Sequence, residues 1–222
     1  MKITKELVDI LRNYVVINSS ILFKEGNIVS TISPLKNIIS MTTISTRIER
    51  EFAIYDLAEF LGIISLLDNA VAEFSDSQII IKSSGKTIKY TYANPSAIVC
   101  SPYRGIEIAD DEIITSFKLS FSEFNNLSKA SGILRTKDIV ISGSSGLIDI
   151  CVGDVKNKTG SSYSTSITPI KEFDMDFRKV FDMENFRVMN GDYIITIPNK
   201  NLIEFKTEDG NLTYWIAPSS NT

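Results

Sequence analysis

There is no histidine anywhere in this chain of 222 residues. That removes the commonest general base at neutral pH, the usual catalytic triads and most zinc sites. Cysteine is nearly as scarce. Cys100 and Cys151 lie far apart, in no metal-ligand spacing, and read as reduced core or strand residues of a cytoplasmic protein. No apolar run approaches the roughly 20 residues that a membrane-spanning helix needs. The opening Met1-Lys-Ile-Thr-Lys-Glu6 leads into an amphipathic helix and lacks the apolar segment of a signal peptide. A basic excess is missing too: the formal charge is −4 and the pI about 5.0. No overall positive field advertises nucleic-acid binding, so any such contact must use a local basic surface on an acidic body.

Hydrophobic residues make up 43% of the chain and aromatics 9%, ample for one large or two small domains. The stretch Arg50-Glu-Phe-Ala-Ile-Tyr-Asp-Leu-Ala-Glu-Phe-Leu-Gly-Ile-Ile-Ser-Leu-Leu67 is the most informative. An alternating strand (Phe52, Ile54) runs without a loop into a helix that Asp56 can cap, with Glu59 in the capping-box position. Leu57, Phe60, Leu61, Ile64 and Leu67 form its apolar face, which Ile63 and Leu66 widen. Similar steps are read at Thr115–Ser131 and Phe173–Phe186, and a helix opens the chain over Thr4–Ile17. That first helix carries an apolar stripe at Ile3, Leu7, Ile10, Leu11, Tyr14 and Val15. In the third unit Ser120 and Glu123 offer a capping box, and Phe121, Phe124, Leu127 and Leu134 are the expected buried positions. The fourth unit predicts a strand near Ile170–Phe177 and a short helix over Arg178–Arg187 that ends in a left-handed cap at Asn190-Gly191. Short strands joined by tight turns follow each helix.

Pro95, Pro102 and Gly105 with a polar cluster make Ala93–Glu112 a linker. The domains are therefore 1–92 and 113–222, joined by 93–112. Two halves, each with two helices over antiparallel strands, give an α+β fold.

Catalytic and ligand motifs fail on inspection. Ser84-Gly-Lys-Thr87 lacks the first glycine of a phosphate-binding loop, has Ile80 in its place, and precedes a strand; it reads as a hairpin turn. Asp110-Asp-Glu112 and Asp174-x-Asp176 lack EF-hand spacing. Ser142-Gly-Ser-Ser-Gly146 lacks the nucleophile-elbow order. We expect no catalytic residues, no metal and no cofactor.

Ala53-Ile-Tyr-Asp-Leu-Ala-Glu-Phe-Leu-Gly-Ile-Ile-Ser-Leu66 resembles the matching segment of sliding clamps from T-even-type tailed phages. The opening helix with Ile17-Asn-Ser-Ser-Ile-Leu-Phe-Lys24 is similar to the same family, as are Asn94-Pro-Ser-Ala-Ile-Val99 and Asn190-Gly-Asp-Tyr193. These matches fall in order along nearly the whole chain. The resemblance implies the DNA-clamp fold and a DNA polymerase processivity factor. In that family three identical subunits close a ring around duplex DNA, loaded by an ATP-driven loader, with helices lining the hole. It implies work in the cytoplasm of an infected bacterial host, and the family also takes part in late-gene transcription.

A ring threaded by DNA needs sequence-neutral phosphate contacts, hence Lys and Arg on inward helix faces. On that implication the DNA-facing residues are Lys2, Lys5 and Arg12 on or beside the first helix, and Lys129, at a position basic in the family. Lys118, Arg135 and Lys137 flank the third helix; Arg178, Lys179 and Arg187 belong to or border the fourth. The second helix has no Lys or Arg between Asp56 and Leu67, so little contact is expected from it. Without the family, the same charges read as a solvated helix face, with Asp9 pairing Lys5 or Arg12. The family also recruits partners through short hydrophobic peptides in an apolar pocket; the implied lining is Ile98, Val99 and Tyr103 with Tyr214, Trp215 and Pro218. The rival reading is a β-rich virion structural protein without a DNA role.

Overall fold

The computed structural model describes residues 1–102, 104–157 and 159–219. The chain divides into two compact units, Met1–Gly105 and Ile106–Thr222, and the division falls inside the Pro- and Gly-bearing segment 93–112.

The first unit runs α1 (Lys5–Ile17), β1 (Ile21–Phe23), β2 (Gly26–Ile32), β3 (Ile38–Ile48), β4 (Phe52–Ile54), α2 (Leu57–Ile64), β5 (Val71–Phe74), β6 (Gln78–Ser83) and β7 (Lys86–Thr91). Every pairing within it is antiparallel: β1 with β4, β2 with β3, and β5-β6-β7 in sequence order. The helices begin where the sequence supplies a cap. Thr4 Oγ1 accepts from the Leu7 N–H and Asp56 Oδ1 from the Glu59 N–H, each satisfying one orphan donor of a first turn. Leu7 and Leu11 of α1 meet Phe60 and Ile64 of α2 around one apolar pocket with Phe23, Phe52 and Ile79. Phe23 and Phe52 stack there with ring centroids 4.6 Å apart. The β6–β7 hairpin turns on Ser84 and Gly85, both at positive φ, the backbone of a mirror-image two-residue turn. The hairpin reading of Ser84-Gly-Lys-Thr87 therefore holds. The apolar face of α2 is narrower than its composition suggests: Leu57, Phe60, Ile64 and Leu67 are buried, but Leu66 is 66% exposed.

The second unit contains β8 (Ile113–Leu119), α3 (Phe121–Leu134), β9 (Asp138–Ser144), β10 (Leu147–Gly153), β11 (Ser162–Ile167), β12 (Phe177–Asp182), β13 (Tyr193–Pro198), β14 (Ile203–Lys206) and β15 (Leu212–Ile216). One antiparallel set runs β11-β10-β9-β12 and another β15-β14-β13-β8, and α3 packs against β10 and β11. Phe181, Phe186, Phe205, Tyr193 and Tyr214 form a chain of edge-to-face rings in the core. α3 has the full capping box: Ser120 Oγ accepts from the Glu123 N–H, and Glu123 Oε2 accepts from the Ser120 N–H.

Four expectations are corrected. Among the described residues the chain forms three α-helices, since Arg178–Asp182 is strand β12 and only Met183–Asn185 coils, as a single 3-10 turn capped by Asp182. The Met183 N–H donates to the Lys137 carbonyl at 2.7 Å, which ties the strand end down before a helix can propagate. Gly191 is not left-handed; the left-handed helix cap is Arg135, at φ 53° after α3. Along α3 the buried stripe is Leu127, Ala130 and Ser131, with Phe121 39% exposed and Phe124 and Leu134 half-buried. Cys100 is an exposed linker residue, whereas Cys151 sits half-buried in β10.

Candidate nucleic-acid interface

On α1 the stripe Leu7, Ile10, Leu11, Tyr14 and Ile17 is buried, which leaves Lys5 and Arg12 exposed on the opposite face. Asp9 pairs with Arg12, Oδ1 to Nη1 at 3.4 Å, one turn away. Both side chains are exposed, so the pair contributes only a few tenths of a kcal/mol and opens readily to a phosphate. Glu6 turns to Ser45, accepting from its N–H at 3.2 Å. Lys5 has no ion pair among the described residues. Lys2 is exposed and forms an isolated bridge with Val71, off the helix. α2 offers carboxylates in place of cations: Asp56 at its cap and Glu59 in its first turn.

On α3, Lys129 is exposed one turn beyond Asn125, without an ion pair among the described residues. Arg135 at the helix end and Lys137 after it line one open depression with Ser128, Gly132 and Glu184. Lys137 is paired to Glu184 at 2.6 Å, and the bonded carboxylate holds its ammonium pKa above the ordinary lysine range. Lys118, on β8, is similarly held between Glu208 at 2.6 Å and Asp192 at 3.9 Å, with Glu208 the larger cause of its raised pKa. Arg178 and Lys179 are adjacent on strand β12 and so point to opposite faces. Lys179 is half-buried, donates to the Lys200 carbonyl, and has its pKa lowered by that burial. Arg187 donates Nε–H to the Glu184 carbonyl at 3.0 Å, beyond the 3-10 turn. The ten residues named from the sequence therefore divide. Lys5, Arg12 and Lys129 stand on exposed helix faces, Arg135 at a helix end and Lys2 ahead of the first helix. Lys118 and Lys137 are neutralised by carboxylates, Lys179 is turned inward, and the three tied to a fourth helix lie on or after a strand.

The residues assigned to a peptide pocket divide as well. Tyr214 is wholly buried, its hydroxyl accepting from the Met189 N–H at 3.2 Å. Trp215, the next residue along β15, points to the other face and donates Nε1–H to Glu204 at 2.8 Å. The two point to opposite faces of the strand, and both are buried, Tyr214 fully and Trp215 at 7% exposure. Pro218 is half-buried just beyond β15. Val99 is 39% exposed and Ile98 half-buried; Tyr103 lies outside the described residues. The residue sequence reasoning missed is Asn18. It is buried, and its amide donates to the carbonyls of Ile32 at 2.8 Å and Val99 at 3.2 Å, fixing the linker's entry to the end of α1. The polar run Asn18-Ser-Ser20 between the amphipathic helix and an apolar strand was the available signal.

A family model described as DNA polymerase processivity factor matches residues 4–100. The sliding clamp of Vibrio phage KVP40 is 28% identical over 220 residues, 98% of each chain. That of Enterobacteria phage T4 is 29% identical over 198 residues, 87% of this chain and 85% of the relative. Among solved structures, PCNA of A. fulgidus, seen with the C-terminal region of FEN-1 bound, matches with TM-score 0.72 and 17% identity over 98% of this chain and 96% of its own. The DNA polymerase III β subunit of Borrelia burgdorferi matches the whole chain with TM-score 0.73 and 13% identity, and the chain spans 64% of that protein. At such identities the structural likeness establishes the fold, which is the α+β DNA-clamp fold.

Proposed function

We infer that the chain is a sliding clamp of the kind carried by T-even-type tailed phages, a DNA polymerase processivity factor. The observation that carries this is the end-to-end match: 98% of this chain aligns with 98% of a sliding clamp. A shared fold segment embedded in another architecture would not align so fully.

The finer reading is mechanical. The protein acts as a closed ring of three copies around duplex DNA, placed there by an ATP-driven loader in the host cytoplasm, and it catalyses no reaction of its own. Ring closure requires a heterologous contact, one face of a subunit against a different face of the next. Each unit offers a strand paired on one side only among the described residues: β7 at the end of β5-β6-β7, and β11 at the end of β11-β10-β9-β12. Pairing β7 of one copy with β11 of the next satisfies both rows of backbone groups and removes two aggregation-prone edges. Inside the ring Lys5, Arg12 and Lys129 meet phosphates without reading bases. Because the ring holds by topology, weak contacts suffice and sliding stays free.

Light-scattering mass and primer extension test this together. A trimer that lengthens polymerase products only when loader and ATP are present is the expected result. A monomer or an open filament, with no effect on product length, refutes it and favours a virion structural protein.

A further inference from the structure

An open depression of about 310 Å³ lies beside the start of β8, lined by Asp111, Glu112, Ile113, Glu172, Phe173 and Met175. The two segments that frame it, 110–114 and 170–176, contain six carboxylates, and the cations facing them are Lys171 and Lys200. Both cations are engaged. Lys200 pairs with Glu112 at 2.7 Å, while Lys171 Nζ donates to the carbonyls of Asp110 and Ile113 at 3.1 and 2.6 Å. Among the described residues no ion pair engages Asp111, Glu172, Asp174 or Asp176. The local excess of four negative charges equals the formal charge of the whole chain, −4.

Apolar side chains stand within this rim. Met175 is 53% exposed and Phe173 half-exposed, both lining the depression with Ile113 and Ile114. The segment that carries them is fastened where it begins: the Ile170 N–H donates to the Ser116 carbonyl at 2.7 Å, and Thr115 Oγ1 donates to the Lys171 carbonyl at 2.6 Å. Phe173 is fixed edge-on to Phe177 at 5.4 Å, over Gly143, where an added Cβ would come within 2.8 Å of the Phe173 ring. Large apolar groups held rigidly in water lose little entropy when a partner covers them.

We propose that this depression is a docking site for a short segment of a partner protein carrying two or more Lys or Arg around one or two large apolar residues. Charge complementarity selects that occupant. Duplex DNA and acidic peptides are repelled, and among the described residues no three carboxylates converge closely enough to hold a metal ion. The depression is lined by none of the helix cations proposed to face DNA, so it adds a second contact surface to the clamp reading without resting on it.

The test uses a fluorescent twelve-residue probe that alternates lysine with leucine and phenylalanine, and a matched probe with glutamate for lysine. Anisotropy measures affinity, and hydrogen exchange locates the contact. The lysine probe is expected to bind, to protect 110–114 and 170–176, and to weaken at least tenfold in the variant Asp111→Lys/Glu172→Lys/Asp174→Lys. Met175→Ser, at unchanged charge, is expected to weaken it several-fold. Protection elsewhere or none, equal affinity for the glutamate probe, or indifference to the serine variant overturns the proposal, the last because it reduces the site to nonspecific charge attraction. So does displacement of the probe by millimolar Mg²⁺ at constant ionic strength, or loss of self-association in the charge variant without probe binding. If the charge variant fails to fold, the serine variant and the exchange map of the unaltered protein decide. Product length in loader-dependent extension is read separately, so this site and the clamp reading can fail independently.

Discussion

Glu204 sits on β14 with Trp215 of β15 opposite it on one side and Thr196 of β13 on the other. Its carboxylate accepts the indole N–H of Trp215 at 2.8 Å, yet burial is the larger influence and pushes its pKa above the ordinary carboxylate value, against the opposing effect of that bond. The sign follows. A carboxyl that binds its proton more tightly folded than unfolded contributes stability that is lost as pH rises from the unfolded pKa through the folded one. Glu204→Gln keeps an acceptor for Trp215 and removes the titration. Its melting temperature, measured from pH 4 to pH 8, is expected to gain on the parent as pH rises through the carboxylate range and to level off above it. Parallel curves would mean that the burial of Glu204 carries no titration cost. Trp215 enters the sequence reading only as the implied lining of a peptide pocket. Its partner is not legible there, since a glutamate in an alternating strand reads as a solvent-facing position.

At the scale of elements, α3 shows what sequence states well. The Ser120–Glu123 box is a local code, three residues apart, and the structure closes both of its bonds. Ser120→Ala removes the acceptor for the Glu123 N–H and should cost about 1 kcal/mol of stability, read as a shift in urea midpoint at unchanged slope. Ser120→Asp, which restores an acceptor, should recover most of it. Strands with period-two alternation and the Ser-Ser-Gly turns were equally legible, because their signals are short-range. The false fourth helix shows the limit. Its residues are decided by partners distant in sequence: Val180 pairs with Val140 in the register of β9, and Phe186 closes edge-on over Phe181 and Phe205. The same limit governs the candidate site. Lys118 is neutralised by Glu208, 90 residues away in sequence, so a charge that looks free in the sequence is spent in the fold.

For the whole molecule the deciding quantity is how little binding energy the helix faces provide. Lys5 and Lys129 are the helix cations without ion pairs among the described residues, and Arg12 is only loosely held. Each phosphate neutralised contributes about −0.9 to the slope of log affinity against log salt, so two per subunit give a slope of only about −2 per subunit. A protein of net charge −4 with so few contacts cannot stay on DNA by affinity alone at physiological salt. A closed ring need not, because leaving requires either an end of the duplex or the breaking of a subunit contact. The retention time on nicked circular DNA is therefore expected to be nearly the same at 50 and 200 mM salt, and to collapse when one restriction cut linearises the same molecule. The variant Lys5→Glu/Arg12→Glu/Lys129→Glu should keep the mass of the parent in solution and its dependence on circularity while loading less efficiently and supporting shorter products. Retention on linear DNA equal to that on circles would show that contacts hold the protein in place of its topology. Full activity of the charge-reversed variant would free those helix faces from any role toward the duplex.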